Sequence, residues 1–128
     1  MAGASQELHE SPDSLSPETI DLHRALVSIQ EELEAVDWYN QRAEATSDPE
    51  LKAILEHNRD EEREHASMVL EWVRRNSPIM DEQLRNYLFT DVPIVQVEEA
   101  IEGGDAGAAG KDGPGDGSLG IGSLRTGR

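Results

Sequence analysis

The chain has no cysteine, which excludes disulfide bridges, thiolate zinc sites and cysteine nucleophiles. Positive charge is also scarce. Only 11 lysines and arginines stand against 27 acidic residues, for a net charge of −16 at pH 7. That imbalance repels phosphate, so neither a nucleic acid nor an anionic membrane is expected as a partner. No apolar run approaches the roughly 18 residues of a bilayer span. The N-terminus lacks the basic-then-apolar order of a secretory signal, which makes the cytoplasm the expected compartment. A length of 128 residues leaves room for one small domain.

What the sequence does contain is helical. Three segments begin with a capping residue followed by proline: Ser16-Pro17, Asp48-Pro49 and Ser77-Pro78. Ser and Asp side chains accept hydrogen bonds from the free N–H groups of a first turn, and proline fits the first helical position. These signals predict helices over 17–45, 49–76 and 78–89. The link at Thr46 to Asp48 is short enough to make the first two an antiparallel hairpin. Leu22, Leu26, Ile29, Leu33 and Val36 form an apolar stripe of helical period on the first helix. Leu51, Ile54, Leu55, Val69, Trp72 and Val73 do the same on the second. A hairpin cannot bury one such face on itself, and the third helix is too short to cover it. A second copy of the chain is the simplest cover. Around this domain, 16–95, residues 1–15 are polar and expected to be disordered. Residues 96–117 read as a flexible linker rich in Gly, Ala and Asp. Residues 118–128 turn apolar again, as Ser118-Leu119-Gly120-Ile121-Gly122-Ser123-Leu124-Arg125.

Chemistry enters through polar residues on the wrong face. On the wheel of the second helix, Glu62 falls about 20° from Leu51 and His65 about 40° to the other side. Both therefore lie inside the apolar stripe, where a carboxylate is costly unless paired or bound to a metal. On the first helix Glu32 sits at the stripe's edge, with Tyr39 beside it one heptad on. The points midway from Glu32 to Glu62 and to His65 both fall in the predicted turn, so the hairpin brings all three to one level. One chain thus offers a Glu from one helix and a Glu-x-x-His from the other. A di-iron carboxylate site in a helical bundle takes two of each, which a pair of chains supplies. Carboxylates and imidazole suit Fe(II), with Zn and Mn as competitors.

Other residues have plainer readings. Glu31 and Glu34 lie on the solvated side of the first helix, as most acidic runs do. His57, Glu61 and Glu64 are spaced to share one exposed face, where adventitious metal binding explains them as well as function does. Trp38 and Trp72 read as packing residues. Tyr39 could equally be a packing residue with a satisfied hydroxyl.

The segments Glu31-Glu32-Leu33-Glu34 through Tyr39, His57 through Glu61-Glu62-Arg63-Glu64-His65, and Tyr87-Leu88-Phe89-Thr90 resemble the encapsulated ferritin family, over roughly residues 20–95. The stretch Ser118–Arg125 resembles the peptide that docks such cargo inside an encapsulin shell. The resemblance implies an all-α fold: a two-helix hairpin plus a short third helix, dimerising into a ferritin-like four-helix bundle. It further implies a ring-shaped decamer of five dimers that oxidises Fe2+ to Fe3+ with O2 for iron storage in the compartment. Carried over by position, Glu32, Glu62 and His65 become the di-iron ligands, contributed by both chains of a dimer, and Tyr39 stands near the iron. Glu31 and Glu34, with Trp38 beside them, become carboxylates that attract metal on its way in. His57, Glu61 and Glu64 match a peripheral metal patch, which Ca or Zn could take in crystals. Two rivals stay open: another di-metal carboxylate enzyme such as a peroxidase, and a non-catalytic helical scaffold or cargo protein.

Overall fold

The structure, a computed structural model, describes residues 7–103. Among them the fold is all-helical, and it divides after Ser77 into two compact units.

The first unit is the hairpin. Helix α1 spans Pro17–Ala45 and α2 spans Pro49–Asn76, each about 40 Å long. Their starts follow from the caps. The Ser16 hydroxyl accepts from the Thr19 N–H at 3.1 Å. One Asp48 carboxylate oxygen accepts from both Glu50 N–H, at 2.9 Å, and Leu51 N–H, at 3.3 Å. Each bond satisfies a donor that has no partner within its own helix. At the other end of α2, Arg74 and then Arg75 hold the Glu71 carboxyl well below its ordinary value, at about 2. The two helices run antiparallel. Arg59 on α2 donates across the hairpin to the Asn40 side chain at 3.0 Å, a tie that fixes their register.

Burial within the hairpin is slight. Among the described residues only Ala43, Ala66 and Val73 are buried. Leu26, Leu33, Leu51, Ile54, Met68 and Trp72 all remain between 38% and 62% exposed. Between the helices lies an open groove of about 540 Å³, lined by Ala25, Met68, Val69 and Trp72 among others. The apolar stripes are therefore left exposed or half-buried at every position except Val73. No helix among the described residues is long and apolar enough to cross a membrane.

The second unit begins with α3, Pro78–Tyr87. It stops two residues short of the expected 89, because Phe89 takes a left-handed backbone, φ 65°, that ends a right-handed helix. Helix α4 then covers Ile94–Glu102, where the sequence suggested a domain end at 95 and a linker from 96. Val97 and Ile101, one turn apart, are its half-buried residues. The N-terminal stretch read as disordered also holds some structure. Pro12–Ser14 form one 3-10 turn, started by Ser11, whose hydroxyl accepts from the Asp13 N–H at 3.3 Å. It is a fourth instance of a capping residue followed by proline. Residues 1–6, the rest of the expected linker from 104, and the expected docking peptide Ser118–Arg125 lie outside the described residues.

Candidate metal centre

Glu32 comes from the middle of α1, while Glu62 and His65 come from the middle of α2, one turn apart. The antiparallel register brings the three together. The His65 Nδ1 atom lies 3.3 Å from Glu62 Oε1 and 3.8 Å from Glu32 Oε1. One donor atom from each residue fits within a 4.8 Å span. Ligands around one ion at about 2.1 Å sit roughly 3–4 Å from each other, so a small side-chain rotation closes this set on a cation. Among the described residues it is the only group of three or more His and acidic side chains that converge so closely.

The two carboxylates are about a quarter exposed and the imidazole a little under half. Such partial burial matters to their charge. A hydrogen bond to Glu62 raises the Glu32 carboxyl above its ordinary value, and burial and the Glu62 charge add to the effect. The same hydrogen bond lowers Glu62, with further help from His65. Two carboxyls this close cannot both ionise at no cost, which is why the one is raised while the other is lowered.

The neighbouring residues divide. Tyr39 is half-buried, with the Arg42 guanidinium carbon 5.6 Å from its ring centroid. Glu31 is exposed, Glu34 half-buried and Trp38 50% exposed. None of these carboxylates joins the converging set. The His57, Glu61 and Glu64 group does not close as a set either. His57 Nε2 lies 3.8 Å from Glu61 Oε2, but Glu64 does not join them as a third close donor. Glu61 instead reaches the centre itself, since its other oxygen lies 3.8 Å from His65 Nε2. The sequence carried a signal for this contact, the i, i+4 spacing of Glu61 and His65, but the grouping with His57 and Glu64 obscured it.

In α2, Ile54, His65 and Trp72 fall on one line of the helix, 11 and 7 residues apart. Ile54 is 52% exposed and Trp72 39%. The converging donors are thus set in the middle of an uncovered apolar row.

Comparison with known proteins places this geometry. Residues 7–91 match the model of a family described as EncFtn-like. The chain is 58% identical to the encapsulated ferritin-like protein of Rhodospirillum rubrum over 130 aligned positions, covering 98% of this chain and 92% of that protein. It is 53% identical to the ferritin-like protein of Thermotoga maritima, over 81% of this chain and 91% of the relative. The crystal structure of a Nitrosomonas europaea protein, 61% identical, matches with a TM-score of 0.66 over 68% of this chain and 96% of that one.

Proposed function

The chain belongs to the EncFtn-like family, and on that premise we propose that it is a ferroxidase. It oxidises Fe(II) with O2 at a di-iron centre that two copies of the hairpin complete. The observation that carries this reading is the convergence of Glu32, Glu62 and His65 within an apolar row whose Ile54 and Trp72 stay exposed among the described residues. Covering that row with its own copy buries the stripes and doubles the donors to four carboxylates and two imidazoles. That set suits iron.

Iron is substrate here. Two Fe(II) ions each give up one electron, and O2 takes both together with two protons and leaves as hydrogen peroxide. The protein holds the ions and manages charge. Metal favours the ionised form of both carboxyls, so it opposes the upward shift of Glu32 and makes both carboxylates anionic ligands. At least one of Glu32 and Glu62 would bridge the two ions. His65 binds as neutral imidazole through Nδ1, the nitrogen on the carboxylate side. Tyr39 stands near the iron without being one of these donors. Glu31 and Glu34, with Trp38 beside them, draw cations toward the site in a chain that already carries a strong negative field.

The family resemblance extends the assembly to a ring of five such pairs. Ser118–Arg125 tethers it inside an encapsulin shell in the cytoplasm, and Fe(III) passes to that compartment for storage. The name of the encapsulated ferritin-like protein of Rhodospirillum rubrum supports the enclosure in a shell.

Stopped-flow measurement of O2 consumption on mixing with Fe(II) tests the reading. The full-length protein should oxidise iron well above the buffer rate, and Glu32→Ala, Glu62→Ala and His65→Ala should each fall to that rate. Absence of turnover in the parent protein, or turnover unchanged in these variants, overturns it.

A further inference from the structure

We propose that Arg59 is a positioning residue for the centre: bonded to Asn40 across the hairpin and to Asp60 on its own helix, it holds α1 at the height that sets Glu32 level with Glu62 and His65. The proposal rests on reading Glu32, Glu62 and His65 as the iron site.

The need for such a tie follows from how little the hairpin buries. Glu32 lies 13 residues before the end of α1 at Ala45, and Glu62 lies 13 residues after the start of α2 at Pro49. Each is therefore about 20 Å from the turn. Along that stretch of the two helices only Ala43 is buried; Ala66 and Val73 lie past Glu62 on α2. One methyl group makes few contacts and resists sliding of one helix past the other only weakly. A slip of one residue moves a helix by about 1.5 Å and presents a face turned by roughly 100°. Either change would carry Glu32 away from His65.

Arg59 stands in that weakly packed stretch, one turn before Glu62 on α2. Its Nη1 donates to Asn40 Oδ1 on α1 at 3.0 Å, and its Nε donates to Asp60 Oδ1 at 3.0 Å. The same Asp60 oxygen accepts from Arg63 Nη1 at 3.1 Å. A guanidinium is a planar fork with fixed donor directions, so partners on two helices set both its tilt and its reach. Its side chain is only 19% exposed, which leaves water less room to compete for these bonds. Glu62 lies between Arg59 and Arg63 in the chain, so the turn of α2 that carries a site carboxylate is the turn tied to α1. Charge alone argues against an arginine at this place, because a guanidinium one turn from a cation site repels the metal. Geometry is what Arg59 contributes there, and Asp60 offsets part of its charge.

The two roles differ in sign, and two readouts on the full-length assembled protein separate them. The first is Co(II) affinity, read anaerobically from absorption bands whose intensity also reports the coordination geometry. Arg59→Ala should weaken binding by about 10-fold and alter the bands, whereas loss of a merely repulsive charge would tighten it. Asn40 is exposed, so Asn40→Ala removes the tie without opening the core and should give the same loss. The double variant should lose no more than either alone. Val73→Ala loosens the same hairpin elsewhere and should leave the affinity in place. The second readout needs no metal. The chain has no cysteine, so spin labels go only to Gln30→Cys and Ser67→Cys, exposed positions on α1 and α2. Dilution into unlabelled protein silences distances between copies. Arg59→Ala should shift the distance between the labels by about 1.5 Å or more, or broaden it. Unchanged or tighter Co(II) binding in Arg59→Ala overturns the proposal, as do additive losses with Asn40→Ala, an equal loss in Val73→Ala, or an unchanged distance. Failure of the parent protein to bind Co(II) through Glu32, Glu62 and His65 would instead sink the iron-site reading. In that case the metal-free distance still decides whether Arg59 sets the height of α1.

Discussion

Glu32 and Glu62 sit on different helices and share one hydrogen bond that moves their acidities in opposite directions, Glu32 upward and Glu62 downward. The consequences for the metal-free fold also oppose each other. The contribution of Glu32 is complete below the unfolded value, near 4.5, and fades as pH rises through its raised folded value. That of Glu62 is complete above the unfolded value and is lost as pH falls through its lowered one. The hairpin gains fully from both only near 4.5.

Metal uptake should therefore release protons. Co(II) affinity is expected to climb with pH through the raised range of Glu32 and then level off once Glu32 is ionised in the free protein. Anaerobic titration calorimetry in two buffers of different protonation heat counts the protons. Within the raised range the parent protein should release more protons than Glu32→Gln, which has no carboxyl to ionise. Equal release by the two proteins would show that the Glu32 proton plays no part.

Much of this centre was legible in the sequence, and the reason is geometric. Pro17 and Pro49, each behind a capping side chain, mark where α1 and α2 begin. A three-residue link leaves an antiparallel pair little freedom of register. Glu32, Glu62 and His65 could then be placed by counting alone. Helix α4 was harder to see. Pro93 precedes it with no side-chain cap, and Ile94 and Val95 are 69% and 63% exposed, so its apolar pattern is weak. The end of α3 depends on a left-handed Phe89, a conformation that sequence rarely announces outside glycine and asparagine. Glu61 is the most telling case. Its spacing to both His57 and His65 is plain, but spacing does not say which way a ring turns, and only the packed hairpin shows Nε2 facing it.

Two substitutions should separate the hairpin's own core from the surface it offers to its copy. Val73 is fully buried within the single chain. Val73→Ala should cost about 1–3 kcal/mol in chemical denaturation, through lost transfer energy and the cavity left behind. Ile54 is 52% exposed in the single chain, and Ile54→Glu should leave helix content intact by circular dichroism. Sedimentation should nevertheless show the variant dissociated, because the new charge has to be buried in the pair. Persistence of the parent assembly in Ile54→Glu would mean that another surface holds the copies together.

Residues 118–128, proposed to dock the protein in its shell, lie outside the described residues and can be deleted as a unit. Deleting residues 118–128 should abolish loading into co-expressed encapsulin shells while leaving Fe(II) oxidation at the parent rate. Loading that survives the deletion would move the tether elsewhere. A loss of oxidation would tie the segment to the centre itself.

A centre built from two chains makes metal affinity depend on protein concentration. If each copy supplies one helix-α1 carboxylate and one Glu-x-x-His pair, a lone chain offers three donors and binds weakly. The pair offers six and binds tightly. Binding and association are then linked, so Co(II) at about a hundred times its dissociation constant should strengthen assembly by roughly 2.7 kcal/mol for each site. Diluting the metal-free protein until it dissociates should raise the apparent Co(II) dissociation constant in step with the monomer fraction. Sedimentation at the same dilutions should show metal restoring the larger species. The effect should vanish in Glu62→Ala, which lacks one of the proposed carboxylate ligands. An affinity that stays constant while the protein dissociates would mean that one chain holds its metal alone, and the shared centre would have to be abandoned.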